Sequence, residues 1–200
     1  MRFLLSIVLL AGPALAVEPY VGVGAVQPLP SDMHGIYRLM PGASLGVRVP
    51  RTGTMAFRVG GVGFLGSGTG ESRDFRLASA ALELGVELRT RSALGAYIVP
   101  AILAGYAAER TPSYDTATGA IYDRWDSGTS LGFGLNGGAV LYQTGAFGLD
   151  AEAGFRFLSV PTGQVQDIYG YTEYPGIEVS TFGVGLVARF GKAEPESGGQ

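Results

Sequence analysis

FGLDAEAGFRFL, residues 147–158, alternates without a break. Phe147, Leu149, Ala151, Ala153, Phe155 and Phe157 take the odd positions. Gly148, Asp150, Glu152, Gly154, Arg156 and Leu158 take the even ones. Strict alternation marks a strand whose two faces meet different media. One face here is wholly apolar, and the other mixes glycine with charge. The polar face suits the outside of a soluble sheet, and equally the inside of a barrel whose outside meets lipid.

The same pattern recurs along the chain. Val21, Val23 and Ala25 alternate with Gly22 and Gly24 within Tyr20–Val26. Tyr37, Leu39, Ala43, Leu45, Val47 and Val49 share one parity, opposite Arg38, Gly42, Ser44, Gly46 and Arg48. A third strand is expected over Met55–Leu65, with Arg58, Gly60 and Val62 on one face. A fourth ends in Leu82, Leu84, Val86 and Leu88 against Glu83, Gly85 and Glu87. Its beginning, Phe75 and Leu77, lies on the other parity, so a bulge near Ala78–Ala81 is expected. Leu94, Ala96, Ile98, Ile102, Ala104 and Tyr106 mark the fifth strand, and Leu131, Phe133, Leu135, Ala139 and Leu141 the sixth. The seventh is the stretch quoted first. The eighth is VSTFGVGLVARF, with Phe182, Val184, Leu186, Ala188 and Phe190 on one face.

Connections between these strands alternate in length. Short turns are expected at 50–53, 89–92 and 143–146, and longer loops at 27–35, 66–73, 108–127 and 159–176. An even-stranded meander with short turns at one end and long loops at the other fits an outer-membrane barrel. Strands of this length suit a tilted crossing, which needs about 9–11 residues.

Composition and the first residues agree with that reading. The chain of 200 residues holds 33 glycines, no cysteine and a formal charge of −3. Disulfides and thiolate metal sites are excluded, and the lack of a basic patch speaks against nucleic acid. Arg2, the apolar run Phe3–Ala11 and the Ala14-Leu15-Ala16 site form an export signal, 1–16, so a mature chain from Val17 is expected. The barrel is expected over 17–190, followed by a disordered polar tail, 191–200.

The charges of the polar face balance. Arg48, Arg58, Arg156 and Arg189 stand against Glu83, Glu87, Asp150 and Glu152. An eight-stranded barrel is just wide enough for side chains to fill it, and buried ions are costly unless paired. Arg58 and Glu83 are expected to face each other across the third and fourth strands. Asp150 and Glu152 are placed at their height, with Arg48, Glu87 and Arg189 nearer the short-turn rim. Together they are expected to plug the lower lumen.

On these residues the chain resembles the small eight-stranded outer-membrane barrels of the OmpA/OmpX type. The resemblance implies an all-β, eight-stranded antiparallel up-and-down transmembrane barrel in the outer membrane of a Gram-negative bacterium. It implies outer-membrane lipid and the barrel-assembly machinery as partners. The eighth strand resembles that family's assembly signal, with Phe182 and Phe190 as its aromatic positions; here ten residues follow Phe190. Pro41 and Pro100 fall inside strands, where a closed barrel has no edge to hide them, so either bulges or different strand boundaries are expected there.

Three glycine motifs, at 61–66, 132–137 and 183–188, match the dinucleotide fingerprint or its alanine-ended variant. None opens a helix, as that fingerprint requires, so no cofactor is expected; the loop acids lack an EF-hand pattern, and no metal is expected. Aromatic residues crowd two of the long loops: Tyr114, Tyr122 and Trp125, then Tyr169, Tyr171 and Tyr174. They are candidates for contact with an extracellular partner, and for Trp125 an interfacial belt is an equal reading. His34, the single histidine, lies near Ser31 and Asp32. The leading expectation is a non-enzymatic barrel that presents loops for surface interaction or envelope integrity. A narrow small-solute channel is one alternative. An outer-leaflet lipid-modifying enzyme using His34 is another.

Overall fold

The computed structural model describes residues 17–29, 37–70, 73–91, 95–114, 117–119, 121–159, 163–167, 170–174 and 178–191. Side chains are described for these except at 69–70, 73–74, 111–114, 121–126, 163–167 and 170–174. The signal region 1–16, the loop with Ser31, Asp32 and His34, Tyr169, and the tail beyond Gly191 lie outside the described residues.

Ten strands form: β1 (Glu18–Pro28), β2 (Met40–Thr52), β3 (Met55–Gly70), β4 (Arg73–Arg89), β5 (Tyr97–Tyr114), β6 (Ile121–Gln143), β7 (Phe147–Ser159), β8 (Gly163–Asp167), β9 (Gly170–Tyr174) and β10 (Glu178–Phe190). Eight of them close into a barrel in the order β1-β10-β7-β6-β5-β4-β3-β2. Every neighbouring pair is antiparallel. The eight-stranded up-and-down barrel expected from the alternation is therefore the fold. β8 and β9 form a separate hairpin between β7 and β10.

The parity reading decides which way each side chain points. Leu82 and Leu131 are 66% and 73% exposed, whereas Glu83 and Asp150 are each 1% exposed. The apolar faces thus look outward and the polar faces look into the barrel. Such an exterior is stable only against lipid, since a soluble barrel reverses the arrangement. Aromatic residues gird the exterior at both heights. Phe57, Tyr142, Phe147 and Phe190 lie toward the short-turn end, with Phe147 and Phe190 rings 5.7 Å apart. Tyr106, Phe133, Phe155 and Phe157 lie toward the other, where Phe133 and Phe157 stack at 5.4 Å.

Four details differ from the sequence expectation. No bulge interrupts β4 near Ala78–Ala81: its register with β3 runs unbroken from Met55↔Leu88 to Gly70↔Arg73. Leu77 is on the inward parity with Glu83 and is buried, so the apolar change marks a change in what fills the barrel. Pro100 needs no bulge either. The β4–β5 ladder lapses at Val86 and Glu87 and resumes in the same register, leaving Pro100 without a bond to lose. Pro41 pairs with Ala25 in β1, while the ladder to β3 begins only at Gly42↔Phe64. Register shifts occur instead at Pro50/Thr52 and Val140/Tyr142, beside short turns.

The loops expected at 66–73 and 108–127 are largely strand. β3 and β4 pair up to Gly70↔Arg73, and β5 and β6 up to Tyr114↔Ile121. Ladder bonds are indifferent to side-chain polarity, so strands run on past the point where the apolar alternation stops. By contrast the second strand begins at Met40 rather than Tyr37, which makes only an isolated bridge to Gly68. The result is a lopsided barrel. The wall of β3–β6 rises well above the wall of β7, β10, β1 and β2.

Candidate functional site

The interior has two storeys. In the lower one, nine side chains form a continuous chain of contacts. Arg58 donates to Glu152 at 2.6 Å, and the Tyr97 hydroxyl is shared by Glu152 at 2.7 Å and Asp150 at 3.0 Å. Arg189 holds Asp150 with two bonds of 2.7 and 2.8 Å and reaches Glu18 at 3.5 Å. Arg48 donates to Glu18 at 2.8 Å and to Glu87 at 2.9 Å, and Arg89 donates to Glu87 at 3.0 Å. Charge-assisted contacts of this kind are the strong ones. Most of them link different strands, so the chain ties the barrel across its bore.

All eight residues expected in the lumen point inward, but their partners differ from expectation. Register sets Arg58 opposite Gly85, and Glu83 opposite Gly60. Arg58 consequently crosses the bore to Glu152 instead of meeting Glu83, its guanidinium lying 4.6 Å over the ring of Tyr20. Glu83 accepts a long bond of 3.4 Å from Asn136, and Arg156 approaches it only to 3.9 Å. Glu18, Tyr20, Arg89, Tyr97 and Asn136 are members that pattern reading missed. Parity marks Glu18, Tyr97 and Asn136 as inward; no sequence signal says that they touch these charges.

The upper storey corrects a second expectation, that glycine and charge occupy the inward parity throughout. Val26, Tyr37, Met40, Val62, Phe64, Leu77, Ala81, Leu103, Leu158 and Val179 form one buried apolar cluster. Met40 packs where Gly66 leaves room for it. At the top, the Tyr37 hydroxyl donates to Glu109 at 3.1 Å, and Gln27 donates to the Tyr37 carbonyl at 3.2 Å. Between the storeys lies a cavity of about 60 Å³, lined by Gly22, Gly24, Gly183 and Gly185 and by Glu152 and Arg156.

Above the mouth, β6 outruns its neighbour. It pairs with β5 up to Ile121, but its ladder to β7 ends at Leu131↔Ser159. Residues 121–130 of β6 therefore have no barrel partner on that side among the described residues. The opposite edge of the raised wall, on β3, is stitched by the Tyr37–Gly68 bridge. Of the aromatic contact candidates, Tyr114, Tyr122 and Trp125 fall on this tall hairpin and Tyr171 and Tyr174 on β9; their side chains lie outside the described ones.

No family model matches the sequence, and no curated protein matches it either. Solved structures do. A major outer membrane protein from Thermus thermophilus superposes with a TM-score of 0.51 at 15% identity, over 88% of this chain and 100% of the other. Similar in coverage are OprG from Pseudomonas aeruginosa, with a TM-score of 0.47 and 7% identity over 88% and 96%, and Ail of Yersinia pestis, with 0.47 and 14% over 88% and 97%. The protein is an outer-membrane β-barrel. Identities this low speak to the fold alone, and the fold accords with the lipid-facing exterior described above.

The short-turn end of the barrel then faces the periplasm, and the raised wall faces outward from the cell. Phe190 closes β10 on the periplasmic girdle, paired with Phe147. Phe190→Ala is expected to lower the yield of assembled barrel in cells several-fold. Its loss as an aromatic pair, about 0.5–1.5 kcal/mol, should leave refolding of the purified chain largely intact. Removal of residues 192–200 should leave both readouts unchanged. Equal yields from wild type and Phe190→Ala in membrane fractions would deny Phe190 a part in assembly.

Proposed function

We propose that this barrel is a non-enzymatic anchor that holds a raised β-wall outside the cell and binds polypeptide partners along the open edge of β6. The edge is the observation that supports the reading. Ten residues of backbone, 121–130, run at about 3.3 Å each with one side unpaired among the described residues. Unpaired strand edges take up extended segments of other proteins by adding a strand. The segment's sequence carries Asp123, Arg124 and Asp126, and edge charges discourage indiscriminate strand pairing. The cross-linked lower storey supports an anchoring role, because it makes the barrel stiff.

A narrow small-solute channel has the inter-storey cavity in its favour. Cross-links below and the apolar cluster above both oppose it. The enzymatic reading through His34 has no described geometry to support it.

Replacing residues 105–130 by an Asn-Gly turn tests the proposal, since it removes the whole unpaired edge while Ala104 and Leu131 remain paired below it. Binding to a panel of extracellular-matrix and serum proteins should fall at least about tenfold, the equivalent of ~1.4 kcal/mol, with the heat-modifiable barrel band unchanged. In the bound wild type, amide exchange over 121–130 should slow. A shortened variant that binds as wild type does would reject the edge as the contact.

A further inference from the structure

The lipid-facing side of the raised wall ends in an abrupt change of character. Leu65, Ala78 and Ala108 stand abreast on β3, β4 and β5 as the last apolar outward row. The next outward row is Ser67, Arg76 and Arg110, in which Arg76 and Arg110 are directly opposite each other. Arg38, also exposed, follows the Tyr37 that bridges Gly68, which sets its backbone beside Ser67. Like charges opposed across a strand pair repel, and an anion bound over both would relieve that repulsion. Arg110 makes contacts of its own within the protein, and an anion over the pair adds to them.

Height identifies the anion. Arg76 stands about a dozen residues above the foot of β4, just past the roughly 9–11 that a tilted strand spends in hydrocarbon. Tyr106, half-exposed on the same face four positions before Arg110 in β5, marks the interface below it. The level of the arginines is thus the level of lipid headgroups, whose anionic groups are phosphates. Guanidinium binds phosphate with two parallel bonds, where lysine offers only a point charge.

We propose that Arg76 and Arg110, flanked by Arg38, form a docking site for the phosphate groups of outer-leaflet lipids. The site lies on the lipid side of the wall, apart from the β6 edge, and stands whether or not that edge binds protein.

The test compares the full mature chain with Arg76→Gln/Arg110→Gln in phosphatidylcholine bilayers with and without bisphosphorylated lipid A. Wild type should retain lipid A through detergent extraction and gel filtration and unfold at a higher temperature when it is present. In the double variant, retention should fall about tenfold, the loss of roughly one charge-assisted contact, and the thermal gain should vanish. Each thermal gain is read against the same protein without lipid A, and Arg51→Gln, at the periplasmic turn, should behave as wild type throughout. Should the double variant fail to fold, Arg76→Gln alone should still reduce retention. Undiminished retention in either variant overturns the site. An equal stabilisation of wild type by inorganic phosphate at matched concentration overturns the assignment to lipid.

Discussion

Glu152→Ala is expected to destabilise the barrel by about 3–5 kcal/mol, the cost of stranding a buried charge. Arg58 is 4% exposed, and its 2.6 Å contact with Glu152 is its one ion pair among the described residues. The Tyr97 hydroxyl would also lose one of its two carboxylates. Adding Arg58→Ala to Glu152→Ala should recover part of the loss, because the stranded cation goes with it. Urea unfolding in micelles gives all three values, and a coupling energy near zero would show that the pair is solvated. The corresponding cycle for Arg58 and Glu83 should show the weaker coupling, as the two are not in contact. In planar bilayers the wild type should conduct little, and Glu152→Ala more, since one cross-link of the bore is cut.

Gly24→Val should break the wall at its closing seam. Gly24 faces inward on β1, opposite Gly185 on β10 and Gly42 on β2. A Cβ there would press on the Val184 carbonyl oxygen and come within 2.8 Å of the Gly185 Cα. Those are backbone atoms of the strand pair that closes the barrel, so relief requires opening the seam. Overpacking of this kind costs about 1–3 kcal/mol in a deformable core and more where backbone must move. The expected outcome is loss of the folded band on unheated gels. Gly61→Ala is the control. Its Cβ would meet nothing nearer than 3.9 Å and would face lipid, and the barrel should be unaffected. A folded Gly24→Val barrel of wild-type stability would mean that the seam is looser than these distances indicate.

Sequence alone determined the number and direction of the barrel strands and which residues of each share a face. Alternation in 147–158 and its echoes suffice for that, because a two-residue period leaves only the choice of medium open. Balanced arginines and carboxylates among the inward positions then argue for a filled bore. What lay beyond the sequence was pairing. Which arginine meets which carboxylate depends on register and on reach across the barrel, and Arg58 finds Glu152 on the far wall rather than Glu83 next door. The apolar upper storey was legible only in part, since Phe75 and Leu77 look like a parity error until the register shows none. The raised wall was hidden for another reason. Backbone ladders continue through polar residues such as 121–130, while periodicity is blind once both faces meet water. The open edge of β6 and the opposed Arg76 and Arg110 come from one quantity that composition and period do not contain, the height at which each ladder stops.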